Sequence, residues 1–213
     1  MSLATRRTHI RLRRRAAAAG IFSIRSNSSS SSATSASSSR WTRLFPSATS
    51  QSNNHSPVRA AWLMLDSTAS FRGSARGFDA GVVDLQHGLR TVPSTSDFAA
   101  IIDTGAVPMA RVAGNEAHCV SQALDAGARG LICPMINTPA EAAKLVAHAR
   151  FPPLGGRSFG PSFGLPGAPD GPDAANAGIV VLGMIETQEA LDNVEGIVAT
   201  EGLDGLFIGP MVS

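Results

Sequence analysis

Gly81-Val82-Val83-Asp84-Leu85-Gln86-His87-Gly88 is the stretch whose reading decides the fold. An apolar run ends there in a carboxylate, an amide and an imidazole, which is how a barrel strand delivers polar groups to its C-terminal mouth. Working outward, the arrangement recurs. Pro108-Met109-Ala110-Arg111-Val112 ends near an arginine, Gly130-Leu131-Ile132-Cys133-Pro134-Met135 near Asn137, and Ile179-Val180-Val181-Leu182-Gly183-Met184-Ile185 on Glu186. Each run has the length and composition of a strand buried on both faces, and stretches of helical periodicity separate them. Such alternation means βαβα units and a parallel sheet.

Before this core, Ala60-Ala61-Trp62-Leu63-Met64-Leu65 reads as a first strand, while residues 66–77, spotted with glycine and serine, make a poor amphipathic helix. Ser94 or Ser96 is placed to cap a helix carrying Phe98, Ile101 and Ile102 that Gly105 closes, and Asn115 to cap one carrying Val120, Ala123 and Leu124 that Gly127 ends. Thr138-Pro139-Ala140-Glu141 is a capping box with proline at the first helical position, opening a helix to about Arg150. Residues 151–178 are mostly Gly, Pro, Ala, Ser and Asp and read as one long loop, with Gly155-Gly156 and Arg157 near the mouth. A helix over about 188–199 and a sixth strand, Leu206-Phe207-Ile208, follow. A complete eight-stranded barrel takes ~250 residues, so the expectation is α/β with about six βα units and two open sheet edges.

The chain's net charge of +2 hides two unlike parts. No Asp or Glu precedes Asp66, whereas ten of the 18 Lys and Arg do, leaving an acidic body behind a basic leader. Residues 1–59, with six arginines by position 15 and serine tracts at 28–32 and 37–39, have the composition of an organelle transit peptide. Mitochondrial import is expected, with a plastid or cytoplasmic location as alternatives, and the leader is expected to stand outside the folded domain, residues 60–213. A disordered tail or a nucleic-acid arm would also carry these residues, but no nucleic-acid partner is expected. The run Ala16 to Phe22 is too short to span a membrane. Cys119 and Cys133 lack metal-site spacing, and His118 and Cys119, adjacent on a helix, are expected to point apart.

Read together, Asp84-Leu85-Gln86-His87-Gly88, Ala110-Arg111-Val112, Leu124-Asp125-Ala126-Gly127, Arg150-Phe151-Pro152-Pro153, Gly156-Arg157-Ser158-Phe159-Gly160-Pro161, Met184-Ile185-Glu186-Thr187 and Gly205-Leu206-Phe207-Ile208-Gly209-Pro210 resemble the HpcH/HpaI aldolase and citrate lyase family, in its order and at nearly its spacing. The resemblance implies a (β/α)8 TIM barrel of the phosphoenolpyruvate/pyruvate type. It also implies a carbon–carbon lyase that cleaves or forms 2-oxo-3-deoxy (4-hydroxy-2-oxo) acids, giving pyruvate and an aldehyde, with a divalent metal (Mg²⁺, Mn²⁺ or Co²⁺). The family's metal-binding glutamate falls on Glu186, its pyruvate-binding arginine on Arg111, and its catalytic histidine and supporting aspartate on His87 and Asp125. Asp84 and Gln86 fall on polar positions beside the metal, and Gln86, Gly209 and Pro210 join Arg111 among the substrate-binding positions. Members continue past Gly-Pro with Ala-Asp-Leu-Ser, the aspartate being a second metal carboxylate, where this chain has Met211-Val212-Ser213. Full-length members are homo-oligomers acting on small 2-oxo acids, without a membrane. An inactive, truncated barrel segment is the alternative reading.

The chemistry explains why such residues are needed. Breaking the C3–C4 bond of a 2-oxo-4-hydroxy acid leaves an enolate, whose charge a hard cation on an oxygen ligand can hold. A guanidinium fork suits the substrate carboxylate or enolate oxygen. The C4 hydroxyl must give up its proton to a base such as imidazole. Taken singly, Glu186 reads as an acidic first-turn residue favoured by the helix dipole, and the alternative for Arg111 is an ion pair with Asp84 or another acid at the barrel mouth.

Overall fold

The structure, a computed structural model, describes residues 22–24, 58–160 and 171–209. In chain order the elements are β1 (Phe22–Ile24), β2 (Ala60–Leu63), α1 (Thr68–Ser74), β3 (Ala80–Asp84), α2 (Thr95–Ile102), β4 (Val107–Arg111), α3 (Ala117–Asp125), β5 (Gly130–Cys133), α4 (Pro139–Ala149), α5 (Gly171–Ala177), β6 (Val180–Ile185), α6 (Gln188–Asp192), α7 (Val194–Val198) and β7 (Gly205–Ile208). They form one seven-stranded sheet in the order β1-β7-β6-β5-β4-β3-β2. Strands β2 to β7 are parallel and each pairs with its neighbour in sequence, so the winding never reverses. This is the winding of a barrel, here a curled half-barrel of six βα units, and the expected fold class holds.

The period-2 alternation of each strand separates two cores. Leu63, Val83, Ala110, Leu131, Val181 and Ile185 face the helices and pack with Phe71, Phe98, Ile101, Val120 and Leu145. Trp62, Val82, Met109, Ile132, Leu182, Met184 and Phe207 form a second cluster that contains no helix residue. An apolar sheet face without helices must bury itself by curling, and the Trp62 and Phe207 rings, from the first and sixth parallel strands, meet 5.5 Å apart across the concavity.

The helices follow the local chemistry. At α4 the capping box forms in full: the Thr138 side chain accepts from Glu141 N, and the Glu141 side chain accepts from the Thr138 backbone, with Pro139 in the first turn. α2 and α3 stop before Gly105 (φ 79°) and Gly127 (φ 119°), where the chain turns through the left-handed region. α3 is capped by Glu116 rather than Asn115, whose Nδ2 instead donates to Glu141 O at 2.9 Å.

Four expectations need correction. Residues 68–74 are a helix, capped by Ser67, whose hydroxyl accepts from Ser70 N at 3.2 Å; one buried residue, Phe71, anchors it, too few to leave a periodic signal. The long loop contains a helix, α5, whose Ala175 and Asn176 are buried. The single helix over 188–199 is split at Asn193, whose Nδ2 donates to Asn137 O at 2.9 Å. And the leader does not stand wholly apart, since β1 lies antiparallel on β7 and covers one of the two edges expected to be open. Apart from residues 22–24, 58 and 59, the leader lies outside the described residues, as do Pro210 and Met211 to Ser213. No described helix is long and apolar enough to cross a membrane.

Candidate active site

Extending the concave-face alternation by one step places the site. Asp84 follows Val82 by two residues, Arg111 follows Met109, Glu186 follows Met184 and Gly209 follows Phe207, so all four are carried by the C-terminal ends of parallel strands β3, β4, β6 and β7 of the one sheet. The β3–β4 register sets Asp84 opposite Arg111. The guanidinium grips the carboxylate through two bonds, Nε donating to Oδ1 at 2.9 Å and Nη2 to Oδ2. Arg111 Cζ also lies 5.0 Å above the Trp62 ring, whose Nε1 donates to Asp84 Oδ2 at 3.1 Å.

Asp84 is fully buried and saturated. Its Oδ1 also accepts from Gln86 N and His87 N, both at 3.1 Å. Burial alone would raise its pKa, but the Arg111 hydrogen bond, the His87 amide, the Trp62 indole and the Arg111 charge together hold it below the usual value. The carboxylate therefore stays ionised and serves as a brace for Arg111 and for the turn that carries His87. Gly88 closes that turn against the strand it leaves: a Cβ there would sit 2.2 Å from Asp84 O.

With Nε and Nη2 committed to Asp84, Arg111 keeps Nη1 without a partner among the described residues. His87 presents an exposed side chain. Gln86 is half-buried, and its Oε1 is enclosed with no hydrogen-bond partner. Glu186 is half-buried; Oε1 accepts from Met135 N at 2.8 Å, and Oε2 takes no hydrogen bond among the described residues. A Cβ on Gly209 would come within 2.7 Å of Met184 Cε and 3.1 Å of Glu186 Cβ, so glycine there leaves the glutamate its room.

The described residues hold no group of three or more His, Cys, Asp or Glu able to share a metal. A single carboxylate with one free oxygen, that of Glu186, still fits a hard cation that keeps most of its waters, as Mg²⁺ does.

Asp125 lies elsewhere. It is the last residue of α3, and helix C-termini lie at the end of a βα unit opposite the strand C-termini. Its Oδ1 accepts from Arg157 Nη2 at 2.5 Å, and Arg157 stacks on Phe151 at 4.6 Å. Within this chain no hydrogen bond joins it to His87. The Gly155–Arg157 segment, expected near the mouth, is folded onto the C-terminus of α4 instead, with Gly156 N donating to Ala147 O at 2.8 Å and Arg157 N to Arg150 O at 3.0 Å. His118 and Cys119, expected to point apart, meet at 3.3 Å between Nε2 and Sγ. Burial and Glu116 push the Cys119 thiol up, and burial pushes Cys133 up to about 12, so neither is an activated nucleophile.

Three site residues were not visible in sequence. Trp62 reads as a strand residue, and only its alternation in step with Asp84 hints at the concave face. Met135 holds Glu186 through its backbone from a positive φ of 56°, which no residue type announces. Arg90 ties the His87 loop down: it lies 3.0 Å from Asp66 and 2.9 Å from buried Asp97, which also accepts from Thr68 Oγ1 at 2.6 Å.

Residues 61–211, most of the described fold, match the HpcH/HpaI aldolase/citrate lyase family. The chain belongs to that family. A hydroxypyruvate/pyruvate aldolase of Rhizorhabdus wittichii is 40% identical over 161 residues, covering 74% of this chain and 64% of the relative. A 4-hydroxy-2-oxovalerate aldolase of Novosphingobium aromaticivorans is 35% identical over 145 residues, covering 64% and 54%. The crystal structure of an HpcH/HpaI aldolase/citrate lyase family protein from Burkholderia cenocepacia superposes with a TM-score of 0.65 at 34% identity, over 74% of this chain and 66% of that one. The chain thus spans less than two thirds of the length of these two aldolases.

Proposed function

We propose that this HpcH/HpaI family chain is a divalent-metal-dependent aldolase that reversibly cleaves a 4-hydroxy-2-oxo acid to pyruvate and an aldehyde. The observation that carries the reading is the braced Arg111: a buried carboxylate spends itself on holding one edge of a guanidinium, leaving Nη1 for a ligand at the end of the sheet that also carries His87 and Glu186. The names of the similar aldolases support the same reaction class.

In this reading Glu186 holds the cation, which supplies Lewis-acid stabilisation of the enolate when bound. Arg111 hydrogen-bonds the 2-oxo acid's carboxylate or enolate oxygen through Nη1, pre-positioned by Asp84 and Trp62 so that no reorganisation is needed as charge develops. His87 takes the C4 hydroxyl proton during cleavage and returns it during condensation. Gln86 Oε1, enclosed and unpartnered, accepts from a substrate hydroxyl or a bound water. Gly209, at the same end of the sheet, is a backbone contact in this reading, and the next residue, Pro210, is proposed as another by sequence position alone. Residues 1–59 are proposed to direct the chain to mitochondria, a plastid being the second choice.

The test is pyruvate release from 4-hydroxy-2-oxopentanoate by the purified chain. Activity that chelator abolishes, Mg²⁺ or Mn²⁺ restores, and Glu186→Gln lowers at least about 100-fold is the expected result. Turnover that survives both chelation and Glu186→Gln removes the metal role. No turnover with Mg²⁺, Mn²⁺ or Co²⁺ leaves a barrel segment that binds without catalysing.

A further inference from the structure

Resting on the aldolase reading, the structure points to the class of the second substrate: we propose that the aldehyde is uncharged, with an aliphatic rather than a carboxylated tail. The first observation is where the positive charge goes. Among the described residues carried on the loops at the strand C-termini, the two arginines are both ion-paired with carboxylates. Arg111 is gripped by Asp84, and Arg90 lies between Asp66 at 3.0 Å and Asp97 at 2.9 Å. Arg111 retains one free donor edge, enough for the carboxylate that every 2-oxo acid carries, and a second carboxylate finds no further cation on these loops. Arg150 and Arg157, by contrast, sit past the C-terminus of α4, at the opposite end, where Asp204 and Asp125 pair with them.

The second observation is what the rim offers instead. Met64 and Leu65 after β2 are 45% and 57% exposed, Leu89 and Val92 in the β3 loop 70% and 67%, and Met135 after β5 50%. Leu89 N donates to Met64 O at 2.8 Å, which ties the first two loops into one apolar lip beside His87. Met135 stands on the other side, its backbone on Glu186. An aldehyde tail leaving His87 along this lip therefore meets methylenes and thioethers, and the carboxylate at this end of the sheet that no arginine pairs is that of Glu186. A tail carboxylate would be desolvated against like charge, which costs far more than apolar contact returns.

The reaction needs no co-reactant beyond those named. In condensation pyruvate C3 loses a proton, its carbanion bonds to the aldehyde carbon, and the aldehyde oxygen takes up a proton. The experiment is condensation of pyruvate by the full chain with Mg²⁺, comparing acetaldehyde, butanal and succinic semialdehyde. Expected is kcat/KM for butanal at least tenfold above that for succinic semialdehyde, with a gain of roughly threefold per methylene from acetaldehyde to butanal. In Leu89→Lys, which sets a cation on the lip, the butanal-to-semialdehyde ratio should fall about tenfold. Equal or better use of succinic semialdehyde by the natural chain overturns the proposal, as does a ratio that Leu89→Lys leaves unmoved. Absence of condensation with all three aldehydes overturns the aldolase reading, and this proposal with it, whereas turnover with the reverse preference overturns the proposal alone.

Discussion

Asp84 is the residue on which the site turns, although it touches no substrate in the reading above. Five donors converge on two oxygens, two from Arg111, two from the backbone of the following turn and one from Trp62. Replacing it with Asn keeps the shape but removes the charge and sets an NH₂ against donors. Asp84→Asn should cost about 3 kcal/mol in urea unfolding at pH 7, because Arg111 is left buried and uncompensated, and should lower pyruvate release at least tenfold. The acid limb supplies an independent check. A carboxyl whose folded pKa lies below its ordinary 3.8 contributes stability that is fully present above that value and is lost as pH falls below it. The natural chain should therefore lose stability more steeply than Asp84→Asn below about pH 4; parallel pH profiles would show that the carboxylate is not held as described. Asp84 and Arg111 were legible singly, as polar residues ending apolar runs, and their pairing was one of two uses open to Arg111. Trp62 was not, since an indole in a strand reads as core until the sheet's curvature shows which face it is on.

The working unit among the elements is β3 with the turn behind it. The strand ends at Asp84, and the chain is folded back so tightly that Gly88 stands where no Cβ fits, 2.2 Å from Asp84 O. Gly88→Ala should force the turn open, lowering stability by about 2 kcal/mol and detaching the Gln86 and His87 amides from Asp84. Thermal unfolding together with pyruvate release reads both effects, and a variant indistinguishable from the natural chain in each would mean the turn is not under this constraint. Strands were the legible elements, because burial on both faces writes itself as an unbroken apolar run, and α4 was legible because its first turn is reciprocal hydrogen-bonding chemistry. The helices that escaped notice are held by few contacts. α1 hangs on Phe71, α5 on Ala175 and Asn176, and the break between α6 and α7 on a hydrogen bond to Asn137 from far earlier in the chain. Long-range causes of that kind leave no local periodicity.

At the scale of the molecule, the parallel winding delivers every strand's C-terminus to one end, and the ion pairs sort themselves accordingly, with Arg90 and Arg111 at the mouth and Arg150 and Arg157 at the far end. Ahead of this body runs the acid-free leader. Residues 1–59 fused to a fluorescent protein should carry it into mitochondria; a diffuse signal would remove the transit reading, and a plastid signal would replace it.

β1 gives that leader a second consequence. Its antiparallel pairing covers the outer edge of β7 along Gly205, Leu206 and Phe207, and a backbone edge has room for one neighbour. Continuing the barrel's winding calls for a parallel strand in the same position, so β1 and any such strand compete for a single berth. Phe22–Ile24 stands well ahead of β7 in the chain, so the strand that fills this position belongs to the leader and not to the barrel's own winding. If the leader is cleaved, as the transit reading proposes, its removal clears that berth on β7.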